Sequence, residues 1–217
     1  MNWFAVASML TSGLSAARDK NTPDAGRASS GPRRRDVAAP LDVVVEATPE
    51  IAQAIVRRTI DEASAIWDPS SLAFRWHVVE PLEREPANPF VWVILSDEAG
   101  AAYYTQRALG WITFTSGVPE PVIHLSHGNA VWLLDATGTC RTRPTRKREM
   151  LLGRALGRAL AYELGHCLLP SKDHAPAGLT RGRRSRDEFF APSRTSFEPN
   201  PQQRAILAER VGLRAAE

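Results

Sequence analysis

Apolar and polar positions recur along this chain with two periods. Residues 41–46 (Leu-Asp-Val-Val-Val-Glu) are a β-branched run and predict a first strand. Ile51, Ile55, Ile60, Ala63 and Ile66 then recur at helical spacing up to Trp67. Thr48 is the expected cap of that helix, with Pro49 at its first position and Glu50 in its first turn. Asp68-Pro69-Ser70-Ser71 closes it. Residues 72–79 alternate as a second strand, and residues 81–89 read as a loop. Residues 90–95 (Phe-Val-Trp-Val-Ile-Leu) are apolar on both faces, the pattern of a strand in the middle of a sheet. Residues 109–115 and 122–126 predict a hairpin with a longish turn over 116–121, whose prolines place that turn near a sheet edge.

Helices dominate the second half. Residues 129–134 predict a short helix and residues 145–169 a long one. Along the long helix Leu151, Leu152, Ala155, Leu156, Ala159, Leu160 and Leu164 cover one broad face. Gly153 and Gly157 each weaken it by roughly 1 kcal/mol relative to alanine, unless close packing requires them. Pro170 ends it, a polar segment runs through Arg194, and residues 201–213 predict a closing helix with Ile206, Leu207 and Val211 inward. The order of elements is that of an α/β fold with a mixed sheet, and there is no internal repeat.

Composition changes this picture little. The 217 residues suit one domain with short extensions, and 43% hydrophobic residues suffice for a core. Residues 1–39 read as a leader followed by a linker rich in Arg, Ser, Gly and Pro, and residues 40–217 as the folded domain. The apolar residues 3–10 and the small residues Ser15-Ala16-Ala17 fit a secretory signal, but no Lys or Arg precedes them. Export with a cleaved leader and a cytoplasmic protein with an amphipathic N-terminal segment both stay open. The net charge is only +3, and the basic run 141–148 has no aromatic interleaving, so a nucleic-acid partner is not expected. No stretch is long and apolar enough to span a membrane. Two cysteines, Cys140 and Cys167, define no disulfide framework; they pair only if the protein is exported, and a small buried thiol is the expected role of Cys167.

The end of the long helix carries the candidate chemistry. It reads Ala161-Tyr162-Glu163-Leu164-Gly165-His166, breaks at Leu169-Pro170, and is followed by His174. At 3.6 residues per turn, Tyr162 and His166 share a face with Glu163 beside them. This stretch resembles the zinc-peptidase signature H-E-x-x-H, in which two histidines one turn apart bind zinc and the glutamate between them polarises water. With the helix break and the later histidine, it is similar to the metzincin pattern H-E-x-x-H-x-x-G-x-x-H and its methionine turn.

The resemblance implies a metzincin-like fold: a mixed sheet, a backing helix, an active-site helix and a C-terminal helix. It implies a zinc cofactor, a peptide or protein substrate, Glu163 as general base, and His166 and His174 as metal ligands. Tyr162 stands at the first ligand position, and residues 111–115 match the strand that pairs with substrate. Besides Tyr162, the chain departs from the pattern in three places. His174 follows His166 by eight residues rather than six, no glycine lies in between, and Thr180 in Gly178-Leu179-Thr180-Arg181 stands where the turn methionine is expected. The tyrosine phenol, with an ordinary pKa of about 10, ligates well only once ionised. Tyr162 therefore either fills a vacated site or acts as a ligand, and His124 or His127 is a candidate replacement; the alternative for these two, as for His77, is a structural role. Two functions follow: a zinc metallopeptidase-like protein impaired at its metal site by Tyr162, or an inactive peptide-binding or structural module on the same fold.

Overall fold

The computed structural model describes residues 40–70, 72–79, 90–100, 107–136, 145–169 and 174–214. The expected leader and linker, Cys140 and the first half of the basic run lie outside these residues. The elements are β1 (Leu41–Ala47), α1 (Gln53–Trp67), β2 (Phe74–Val79), β3 (Val91–Ser96), β4 (Gly110–Thr115), β5 (Val118–Ser126), α2 (His127–Asp135), α3 (Thr145–Leu168), α4 (Arg186–Phe190) and α5 (Pro201–Arg214). One five-stranded sheet has the order β2-β1-β3-β5-β4. The first four strands in that order run parallel, and β4 is the antiparallel edge. This is the mixed α/β architecture expected from the sequence. No helix among the described residues is long and apolar enough to cross a membrane.

The period-2 pattern buries alternate residues of the sheet. Val43, Val45, Val91, Val93, Leu95, Ile123 and Leu125 join the apolar faces of α1 and α3 in one core. The two helices approach closely because Gly153 and Gly157 face α1. A Cβ on Gly153 would lie 2.4 Å from the Arg58 Cβ, and one on Gly157 would lie 2.6 Å from the Thr59 carbonyl oxygen. Close packing therefore does require both glycines.

Four expectations are corrected. Helix α1 starts at Gln53 and not at the Thr48 cap, because the Thr48 N–H donates to Leu95 O at 3.0 Å and so extends the β1–β3 ladder. Residues Pro49 and Glu50 instead form a turn closed by Ile51 N–H to Thr48 O at 3.0 Å. The hairpin turn is only Ser116-Gly117, with φ of 52° and 86°, the two-residue type that matches strand twist. Pro119 and Pro121 thus lie inside β5, in the part that β3 does not pair, where a missing N–H breaks no bond to β3. Helix α2 begins at His127 rather than Asn129, because the Ser126 hydroxyl accepts the Asn129 N–H at 3.1 Å. On α5 Leu207 is buried as expected, whereas Ile206 is 39% exposed and faces outward.

The segment read as merely polar holds α4 and a short 3-10 turn, Thr195–Phe197. Arg158 pins it to the core. Its fully buried guanidinium donates to Glu62 Oε1 at 2.9 Å, to the carbonyls of Ala191 and Ser193 at 2.9 and 2.8 Å, and to that of Glu188. It also lies 4.9 Å above the Phe197 ring. A buried charge needs this many acceptors to offset its desolvation.

Candidate active site

The last turns of α3 present Tyr162, Glu163 and His166. The Tyr162 and His166 rings, one turn apart, meet edge to face at 4.9 Å and 84°. His174 comes from beyond the helix end, and its ring stands 5.9 Å from His166 and 6.2 Å from Tyr162. The three rings form a compact triangle. Two imidazoles on one tetrahedral ion, with metal–nitrogen distances near 2.0–2.1 Å, have centroids about 5 Å apart. The His166–His174 spacing is close to that of such a pair. Among the described residues no group of three or more His, Cys, Asp or Glu is placed to hold a metal ion.

The turn after the helix explains how His174 arrives. Gly178 has φ of 80°, the Arg181 N–H donates to Gly178 O at 3.2 Å, and the Ala175 N–H donates to Thr180 O at 3.1 Å. Thr180 lies beneath the end of α3, with its methyl 3.2 Å from where a Cβ on Gly165 would stand. Its hydroxyl accepts from Gln203 Nε2 at 2.8 Å, while Gln203 Oε1 accepts the Leu179 N–H at 3.2 Å. Helix α5 therefore holds the turn in place. His174 is seated on Gly182, where a Cβ would fall 2.5 Å from Nδ1. Only glycine leaves that imidazole room.

Edge strand β4 runs beside the same group. A Cβ on Gly110 would lie 3.2 Å from the Glu163 Cγ, and the Phe114 ring meets His166 edge-on at 6.0 Å. Burial pushes the Glu163 carboxyl up to about 8. Burial, and then the Glu163 charge, push the Tyr162 phenol up to about 12, with Arg184 opposing. The other histidines are engaged elsewhere. His124 stacks on Trp111 at 5.1 Å, with burial lowering its pKa. His127 Nδ1 is 2.6 Å from Asp97 Oδ1, and His77 Nε2 is 2.7 Å from Asp42 Oδ1. Cys167 is a free thiol that burial pushes up to about 12.

A cavity of about 230 Å³ opens beside Tyr162 and Glu163 and is walled by Leu109, Gly110, Arg184 and Phe197. Arg184 donates to the carbonyls of Ser196, Gly178 and Leu179 at 2.8, 2.8 and 2.7 Å, and its Cζ lies 3.8 Å over the Phe197 ring. Burial lowers its pKa to about 10. Sequence reasoning missed this wall; the signal for it was the basic Arg181-Gly182-Arg183-Arg184 directly after the turn.

Sheet order, edge strand and helix together make up a fold found among solved structures. The solved structure of archaemetzincin from Methanopyrus kandleri shares it, with a TM-score of 0.55 at 12% identity over 83% of this chain and 99% of that one. Metalloproteinase-II from Bacteroides fragilis aligns with a TM-score of 0.41 at 8% identity, over 82% of this chain and 55% of that one. No family model matches the chain, and no curated protein matches it by sequence. At 12% identity the similarity to archaemetzincin is one of fold.

Proposed function

We propose that this chain is a zinc metallopeptidase-like protein, weakened at its metal site by Tyr162. The observation that carries the reading is the arrival of His174 beside His166 and Tyr162 from beyond the helix break. His166 and His174 would hold zinc through nitrogen, with the Tyr162 oxygen as third donor. A bound zinc ion supplies Lewis acidity at a peptide carbonyl and makes water acidic enough to attack near neutral pH.

The chain's own residues carry the rest. The Glu163 carboxylate takes the proton of the attacking water and delivers it to the leaving amine. In the metal-free protein burial raises this carboxyl to about 8, and a cation held beside it would lower it toward the range in which a general base works. Among the described residues the outer edge of β4 has no partner strand, so an extended peptide pairs there beside Glu163 and His166. Tyr162 is the weak point, since its phenol keeps its proton at pH 7 until a cation displaces it. That same observation favours the second reading, a peptide-binding module without hydrolysis.

Cleavage of a quenched-fluorescent peptide pool in the presence of zinc separates them. The first reading expects slow hydrolysis that disappears in Glu163→Gln and rises in Tyr162→His. Equal rates in wild type and Glu163→Gln would remove Glu163 from the mechanism. Binding without cleavage in the wild type, with cleavage restored in Tyr162→His, would establish the second reading for this chain.

A further inference from the structure

The cavity beside Glu163 has one feature that peptide hydrolysis alone does not explain. Its wall carries a half-buried cation, Arg184, that forms no ion pair among the described residues. Other arginines of the region are matched: Arg158 and Arg194 pair with Glu62, and Arg181 with Glu188. Among the described residues Arg184 is bonded to three backbone carbonyls and lies over the face of Phe197, and the Glu188 carboxylate acts on its charge from a distance without bonding to it. The carbonyls and the ring fix its position, but they do not cancel its charge. A guanidinium has five N–H donors, so three carbonyl bonds through its two terminal nitrogens leave one terminal donor over; its Nε–H is buried without a partner among the described residues, as are those of Arg181 and Arg194. Among the described residues no salt bridge joins Arg184 to Glu163. Charges taken out of water are normally paired.

We propose that the cavity receives a carboxylate-bearing residue of a bound peptide, next to the bond presented at Glu163, with Arg184 as the group that selects it. The inference rests on the peptide-site reading, and it deepens that reading to a preference for acidic peptides. A volume of about 230 Å³ has room for a side chain of glutamate size, given roughly 30 Å³ for one liquid water. The apolar part of that side chain would lie along Leu109 and Phe197, and its carboxylate would reach the guanidinium. Arg181, which also lines the cavity, adds positive potential although Glu188 already pairs with it. The carboxylate has two sources, an internal Asp or Glu and the free C-terminus of a peptide. Both offer the same planar pair of oxygens to a guanidinium.

The test is binding measured in EDTA, so that hydrolysis and metal loading play no part. Fluorescein-labelled decapeptide pools carry one fixed residue, Glu, Gln or Lys, within random sequence and an amidated C-terminus. A further pool has fixed Ala and a free C-terminus. Fluorescence anisotropy with the full-length protein should show the Glu pool, or the free-carboxylate pool, binding about tenfold or more tighter than the Gln pool, as for a charge-assisted hydrogen bond. Whichever of the two leads identifies the source. The preference should fall below about threefold in Arg184→Gln and survive in part in Arg184→Lys, which keeps the charge. Indistinguishable Glu, Gln and free-carboxylate pools overturn the proposal, as does undiminished preference in Arg184→Gln. The comparison of pools on the wild type stands even if a variant misfolds. Acidic preference without any cleavage by the zinc-loaded protein would overturn the hydrolytic reading and leave the carboxylate pocket intact.

Discussion

Replacing Tyr162 with histidine changes one proton, and the size of its effect follows from the site. A phenol pushed up to about 12 is ionised in roughly one molecule in 10⁵ at pH 7. A cation that binds through its oxygen must displace that proton, so the apparent affinity is lowered by up to that factor. It then recovers about tenfold per pH unit toward the phenol's pKa. A histidine of ordinary pKa near 6.5 is already neutral at pH 7 and carries no such penalty. Two things shrink the difference: the half-buried phenol is partly screened by solvent, and a phenolate attracts zinc more strongly than imidazole does. At pH 7 the expected gain in zinc affinity for Tyr162→His is therefore about 100-fold or more, narrowing toward pH 9. Competition against a chromogenic chelator at several pH values measures it. The wild-type log affinity should climb by about one per unit between pH 7 and 9, and that of the variant should stay nearly flat. Parallel slopes would refute Tyr162 as a ligand, and no gain at pH 7 would place the cation elsewhere.

Further outcomes follow from burial and packing. In the metal-free protein Glu163 has a folded pKa near 8 against 4.5 unfolded, so the folded state binds the proton more tightly and stability falls as pH rises through that window. The loss is on the order of 5 kcal/mol at its largest; urea unfolding at pH 5 and pH 8.5 in EDTA should show it in wild type and not in Glu163→Gln, and identical pH profiles would contradict it. Gly157→Ala places a methyl 2.6 Å from the Thr59 carbonyl oxygen and should destabilise the α1–α3 contact by about 1–3 kcal/mol in thermal unfolding; an unchanged midpoint would show that the helices have room to part. Arg158→Met leaves Glu62 buried beside only the more distant Arg194, and should lower stability by about 3–5 kcal/mol in chemical unfolding. A neutral result there would mean that the arginine's own desolvation cancels its bonds.

The features legible in the sequence are those set by local periodicity. The strands and α3 follow from runs of period 2 and 3.6, and the meeting of Tyr162 and His166 follows from helical geometry alone. Features decided by distant partners stayed hidden. Thr48 reads as a helix cap, yet its N–H belongs to Leu95, almost fifty residues away. The prolines suggested a long turn, while the positive φ of Ser116, which a non-glycine residue rarely takes, made a tight one. Arg158 and Arg184 look like solvent-facing arginines until the segment from Glu188 to Phe197, which has no period of its own, folds over them. His174 was legible as a candidate from its place after the break. Its contact with the other two rings depends on Gly182, the Gly178 turn and Gln203, none of which any spacing rule supplies.

The proposed function stands on Tyr162, His166 and His174 acting as one cation site. Zinc bound per chain, measured by equilibrium dialysis at pH 8.5, tests it most directly. One zinc per wild-type chain, lost in His166→Ala and equally in His174→Ala, is the expected result. No bound zinc, or zinc retained by both variants, would contradict it.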